Sequence, residues 1–511
     1  MYKVCLILFA AALLVTSIPA FADLEQVQVG GELHIRGNWI RSMIAPVPEV
    51  RYTPAQVYGR PIGGPFWNLG VVSPVDWNKN GPDMKFVEQR TRLNVKANFS
   101  DKVTAFIELD SVDVWGEDFR SDYLTGVDSR ATSGIVQTPL GLDSDVQLFQ
   151  AYVEANEMFG YPVRARIGRQ ELVFGSEFLV GNGDSGPIFK GLSFDGIRLT
   201  YSGDKFSVDG WWAKLAERSP LEEDGDTDFY GIYASCKAIE NVTFDAYWLY
   251  LRDSSTVVDT PGGWLWDRDY SGTELHTLGL RAAGKYQAVD FEAEVAYQFG
   301  GVDHLGSTFN RGWYGDDSAD ASVWGGNLEV GYSFDFKCHP RLFAGATYFG
   351  GEDNRDVSFA DWLRPFARPS ASVSFNRLFS DQVYSGFFDL NSDYSNAYLV
   401  RIGAMGMVTE KLMARLCITY FDTLAEFDSP AFAMAPSFLT KANDSYLGTE
   451  AFLLLVYQYS KDLSFEAGWA HLFTGKGLEE GSYNAANGTI FTVGSDKDQA
   501  DYIFLGTRLS F

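Results

Sequence analysis

Cysteine is nearly absent from this 511-residue chain: Cys5, Cys236, Cys338 and Cys417 are too few and too scattered for a disulfide framework or a metal cluster. Histidine is almost as scarce, with His34, His276, His304, His339 and His471, none of them in an HExxH pair or near a second histidine at ligand spacing. No G-x-S-x-G nucleophile elbow occurs. Metal chemistry, a cofactor and catalytic turnover are therefore not expected, although a pair assembled from distant segments stays open. Basic charge is short as well. The 41 Lys and Arg face 67 Asp and Glu, a net charge of −26 that argues against nucleic-acid binding. Beyond residue 22 no apolar run is long enough to cross a bilayer as a helix.

The first 22 residues read as a processing signal: Lys3 supplies positive charge, Leu6 to Val15 an apolar core, and Ala20-Phe21-Ala22 an A-x-A cleavage site. One domain is expected over residues 23–511, with no linker or low-complexity stretch.

What is abundant is aromatic residues, 39 Phe, 26 Tyr and 13 Trp, and a hydrophobic period of two. Across Phe86 to Phe99, Thr91, Leu93, Val95, Ala97 and Phe99 alternate with Glu88, Arg90, Arg92, Asn94, Lys96 and Asn98. Residues 289–299 repeat the pattern, Val289, Phe291, Ala293, Val295, Tyr297 and Phe299 against Asp290, Glu292, Glu294 and Gln298. In a membrane the charged face has to meet water, because Arg or Lys toward hydrocarbon at the midplane costs about 2–4 kcal/mol each. A soluble sandwich would put the same charged face outward, and alternation alone does not separate the two.

Connection lengths do. Eighteen strand centres fall near residues 35, 93, 107, 151, 166, 198, 210, 233, 246, 279, 294, 329, 345, 402, 416, 452, 467 and 506. Tight links at Ser100-Asp101, Asn156 to Pro162, Gly203-Asp204, Ile239-Glu240, Tyr286-Gln287, Lys337 to Pro340, Thr409-Glu410 and Ser460-Lys461 alternate with long ones. The clearest long ones are 43–85, 116–145, 253–271, 301–320, 350–393 and 474–499. This is the asymmetry of an all-β, antiparallel up-and-down transmembrane β-barrel in a bacterial outer membrane, with short periplasmic turns and long extracellular loops. The last strand alternates Ile503, Leu505, Thr507 and Leu509 with Tyr502, Phe504, Gly506 and Arg508, and ends on Phe511. Such an ending resembles the export signal of outer-membrane proteins, which implies the barrel-assembly machinery as a partner beside outer-membrane lipid and lipopolysaccharide.

A barrel of this size leaves an aqueous channel. By strand parity its inward cations are Arg36, Arg90, Arg92, Lys96, Arg164, Arg166, Arg198, Arg281, Arg401, Arg415 and Arg508, and all but Arg281 lie on one arc across the closing seam. The inward acids Asp209, Asp245, Asp290, Glu292, Glu294 and Glu329 form an opposing wall. Two such walls would focus a transverse field on a passing solute. The alternative is neutralisation through cross-strand pairs, for which Glu32, Glu88, Glu108, Asp110, Glu154, Glu450 and Glu466 are available. Trp39, Trp211, Trp212, Trp248, Trp324, Tyr348, Tyr420, Tyr457 and Trp469 fit interfacial girdles, with a sugar-stacking surface inside the lumen as the alternative. Gly181 to Gly186 lacks the Lys-Ser/Thr ending of a phosphate loop and reads as a flexible loop. The acidic run 221–228 reads as a solvated tip, with divalent-cation binding as the alternative.

Val163-Arg164-Ala165-Arg166-Ile167-Gly168-Arg169-Gln170-Glu171-Leu172-Val173-Phe174-Gly175, followed by Gly191 to Leu199, resembles the alginate-export porin family of monomeric eighteen-strand barrels. Gly448-Thr449-Glu450 and Glu88-Gln89-Arg90-Thr91-Arg92-Leu93 look like further motifs of that family. The resemblance implies passive diffusion or export of an anionic, carbohydrate-type solute through an arginine-lined pore. Carried over by position, Arg90, Arg92, Arg166, Arg169 and Arg198 would be its selectivity set. Two other readings remain: a general homotrimeric porin for small nutrients, with 116–145 or 350–393 folded in as the constriction, and a barrel enzyme.

Overall fold

Alternating side chains need lipid on one face and water on the other, and a closed sheet provides both without an unpaired edge. The computed structural model has this form. It describes residues 24–41, 84–115, 146–217, 226–254, 273–301, 319–351, 374–386, 395–424, 444–477 and 499–511, apart from isolated positions, and a few short strand segments between them. The expected signal at 1–22 lies outside the described residues.

Eighteen antiparallel strands form the wall. They are β1 Gln26–Arg41, β2 Met84–Ser100, β3 Val103–Val114, β4 Gln147–Ala155, β5 Val163–Gln170, β6 Phe194–Ser202, β7 Phe206–Ala216, β8 Thr227–Ile239 and β9 Val242–Asp253. They continue as β10 Thr273–Tyr286, β11 Val289–Gly301, β12 Ala319–Ser333, β13 Arg341–Phe349, β14 Ala397–Met407, β15 Leu412–Thr423, β16 Tyr446–Gln458, β17 Leu463–Thr474 and β18 Gln499–Ser510. Each pairs with the next, and β18 closes on β1 from Glu32 opposite Ser510 to Arg41 opposite Asp501. Every strand centre expected from sequence falls inside one of them. The seam is also tied by side chains: Tyr502 Oη donates to Asn38 at 2.8 Å and Arg508 Nε to Glu32 at 2.6 Å.

The pleat sorts residues as the alternation requires. Leu280, Leu505, Ile402 and Ile167 are exposed on the outer face, whereas Phe229, Leu399 and Phe349 are buried within. Among the described residues no helix is long and apolar enough to cross a membrane, and the strands are the spanning elements.

The interior is not a bare polar tube. A patch of aromatic side chains from β7 to β13, including Trp211, Phe229, Tyr233, Tyr247 and Phe349, forms one cluster with residues from two inserted segments. Gly325 on β12 makes room for one of these, because a Cβ there would lie 2.4 Å from the ring of Phe375.

Candidate functional site in the lumen

Among the described residues, two connections turn into the barrel. Residues 171–193, between β5 and β6, carry Phe174, Phe178, Val180 and Ile188 into the buried cluster, and residues 374–386, between β13 and β14, add Phe375 and Tyr384. Their apolar side chains recur without the period of a strand, so burial against the aromatic wall drives the insertion, at about 1.5–3 kcal/mol for each large side chain. The segments touch through a parallel bridge between Val180 and Phe379. There Phe379 N donates to Leu179 O at 2.9 Å and Gly181 N to Phe379 O at 2.8 Å.

Polar anchors fix both segments to the wall. For the first segment, Phe189 N donates to Glu88 at 3.1 Å, and Ser176 Oγ to Glu294 at 3.3 Å. For the second, Gln298 and Asn376 exchange two hydrogen bonds of 2.7 Å, and buried Glu450 accepts from Ser385 Oγ at 2.6 Å and Gly386 N at 2.9 Å. Asp381 Oδ2 accepts from the backbone of Asp184 and of Ser185, each at 2.9 Å, which joins the two segments. Residues 374–386 of the long connection 350–393 thus enter the lumen. Residues 116–145 lie outside the described residues.

The expected pore arginines are inward with one exception, and most meet a carboxylate. Arg36 donates to Glu466 at 2.9 Å, Arg92 to Asp110 at 3.0 Å, Arg166 to Glu154 at 2.7 Å and Arg198 to Asp209 at 2.8 Å. Arg90 and Arg92 also hold Asp184 of the inserted segment. Arg164 lies 3.9 Å from Glu154, and Arg401 donates to Asn327 at 2.9 Å with Glu329 at 4.0 Å. The Arg415 guanidinium sits 5.3 Å from the Phe343 ring. On the acidic wall Arg281 reaches Asp245 at 2.7 Å, Glu292 at 2.8 Å and Glu294 at 3.8 Å. Arg341, which parity on β13 would also have placed inward, reaches Glu329 at 2.9 Å and also pairs with Asp290.

The exception is Arg169. It shares the parity of Ile167, which is exposed on the outer face, and it clasps Asp195 at 2.7 Å and 2.8 Å and the carbonyl of Leu148 at 3.1 Å. The motif match carried it into the pore set, but the pleat turns it outward. Trp211 needs the opposite correction. Expected in a girdle, it is buried inside and stacked on Phe174 at 4.6 Å, whereas Trp212 is exposed outside and donates to Asp228 at 3.0 Å. Adjacent residues of a strand cannot both face lipid. Trp39, Trp324, Tyr348, Tyr457 and Trp469 are exposed on the outer face.

Gly181 to Gly186 is not a free loop: it crosses the lumen and is held by Asp381, Arg90 and Arg92. Residues 221–225 of the acidic run lie outside the described residues, while Asp226 and Asp228 both contact Lys214 Nζ, at 2.6 Å and 3.0 Å. His34 meets Glu466 at 2.9 Å, His471 meets Asp501 at 2.7 Å, and His276 stacks on Tyr250 at 4.4 Å. Near Asp184 the Glu171 carboxyl is pushed up to about 7, first by burial and then by the charge of Asp184, with Asn182 Nδ2 donating to it at 3.4 Å.

A closed wall with a greasy exterior and a charged, segment-narrowed lumen defines a β-barrel membrane channel. The alginate export family matches residues 77–489. The chain belongs to that family, and its place is the cell outer membrane. OccAB3 of Acinetobacter baumannii is similar at a TM-score of 0.50 and 11% identity, with 95% of this chain and 99% of that one covered. OccK8 (OprE) of Pseudomonas aeruginosa is similar at 0.48 and 12%, with 95% and 98% covered. The outer membrane channel DcaP of Acinetobacter baumannii is similar at 0.39 and 12%, with 95% and 97% covered. No relative is found among the curated proteins.

Proposed function

We propose that this outer-membrane channel passes anionic, carbohydrate-type solutes by passive diffusion, without catalytic turnover, and that arginines on one arc of the lumen select them. The observation that carries this reading is which partner faces the water in the more open ion pairs toward the short-turn end of the lumen. Arg508 is 56% exposed against 15% for its partner Glu32, and Arg164 is 37% exposed against 14% for Glu154. On the opposite wall the order reverses at three acids, Glu292 being more exposed than Arg281, and Asp290 and Glu329 more than Arg341, while Asp245 and Glu294 lie deeper than Arg281. Pairing therefore neutralises the walls without making them alike.

A transverse field of this kind orients a charged or dipolar solute in a water-filled tube. The planar guanidinium offers a carboxylate two parallel hydrogen bonds and stays charged at any physiological pH. At mid-height Arg36 and Arg90 are buried, and Arg92 is half-buried, against Glu466, Asp110 and Asp184, so selection rests chiefly on Arg164, Arg415 and Arg508 nearer the short-turn end.

Reversal potentials in planar bilayers under a salt gradient test the proposal. The wild type is expected to prefer anions, and Arg164→Ala with Arg508→Ala to lose most of that preference, while Glu292→Gln strengthens it. A wild type that prefers cations, or a double variant with unchanged selectivity, overturns the reading.

A further inference from the structure

Asp184 stands in the glycine-rich turn Gly181-Asn182-Gly183-Asp184-Ser185-Gly186 and reaches across the lumen to β2. Arg92 donates to it from Nη1 at 2.6 Å and from Nη2 at 3.1 Å, a two-point grip on a carboxylate, and Arg90 donates from Nη2 to the same group. The cradle is built from behind. Asp110 lies 3.0 Å from Arg92 Nε and 3.4 Å from Arg90 Nε, Glu108 lies 3.9 Å from Arg92 Nε, and the Phe149 ring supports the Arg92 guanidinium at 4.1 Å. Arg90 is buried, so its orientation is set by the protein and not by whatever the fork holds.

The occupant is less settled than the cradle. Asp184 shares its surroundings with Glu171, with Asp381, and with Glu177, whose backbone carbonyl accepts from Asp381 N at 3.0 Å. Four carboxyl groups in one neighbourhood repel when ionised. The backbone of the turn is held independently by Asp381, and the Asp184 side chain is one-quarter exposed. Rotation about its side-chain bonds can therefore empty the fork while the segment stays docked.

We propose that Arg90 and Arg92 form a carboxylate site which Asp184 fills as an internal stand-in for the solute, and that a carboxylated sugar displaces Asp184 during passage. The inference rests on the anionic-solute reading above and adds regulation of that path: the empty channel keeps this two-arginine site closed to small inorganic ions. It accounts for an acidic residue in the lumen of a channel assigned to anions.

Single-channel recording with glucuronate as the probe tests it, with binding read as concentration-dependent interruption of the current. Asp184→Asn keeps the size of the side chain and removes its charge. The dissociation constant for glucuronate is expected to fall at least about tenfold, the lower end of what a charge-assisted pair of hydrogen bonds contributes. Adding Arg92→Gln to Asp184→Asn is expected to abolish the gain. If Asp184 is only a staple, the variant shows wild-type affinity, or noisier currents without tighter binding, and the proposal fails. Asp184→Ser, recorded in the same way, decides the matter should the amide not assemble. Wild-type cation preference would overturn the channel reading itself. Anion preference without a gain in the Asp184 variants would overturn only the stand-in.

Discussion

Phe375→Ala removes the ring that pins the second inserted segment. That ring is fully buried, 6.1 Å from Phe178 and 5.9 Å from Phe349 between centroids, and lies against Gly325 of β12. Truncating a buried phenylalanine costs about 3–5 kcal/mol. The hydrogen-bonded wall closes without this ring, so the loss falls on docking of 374–386. At about 1.4 kcal/mol per tenfold, the undocked fraction rises by roughly two to three and a half orders of magnitude. The Glu450 and Gln298 anchors still tether the segment, so it is expected to swing and return. Single-channel traces should show repeated excursions to a higher conductance. Trypsin should cut the assembled barrel after Arg377, which is buried in the wild type. Wild-type conductance together with full resistance at Arg377 would refute the claim that aromatic packing holds the insertion.

Anion preference is expected to decline as pH rises from 6 to about 8, because Glu171 ionises near 7 beside Arg92 and Asp184. Its carboxyl is raised from 4.5, so the folded channel holds a proton that the unfolded chain has already lost. The stability linked to that proton is present at low pH and disappears as pH passes through about 7. Glu171→Gln should flatten the reversal-potential profile over this window, and an unchanged slope would remove Glu171 from the account. Arg169→Ala is expected to leave ion selectivity untouched, since its side chain faces outward, and to cost less than about 1 kcal/mol of stability, as for exposed pairs. A shift in reversal potential would show that Arg169 reaches the pore after all.

The wall was legible because two independent signals agreed. Alternation marked each strand, and the strict succession of short and long links fixed a closed up-and-down order that a sandwich does not produce. The inserted segments escaped because their partners are far away in sequence. Asp184 meets Arg92 across 92 positions and Ser385 meets Glu450 across 65, and no local period announces either contact. Phe174, Phe178 and Phe375 carried a signal that was available, large apolar residues in connections that should have been polar. Two errors had a cure in the pleat itself. The parity of Ile167 sends Arg169 outward, and the adjacency of Trp211 and Trp212 sends one of them in. Cross-strand charge pairs such as Arg198 with Asp209 follow from register, which sequence spacing alone does not give.

The most direct measurement compares the entry of glucuronate and of glucose, solutes of nearly equal size, into liposomes carrying the wild-type channel. Faster entry of the charged sugar is the expected result, and the difference should shrink in high salt as the field of the walls is screened. Equal rates, or faster entry of glucose, would contradict an arginine-selected path.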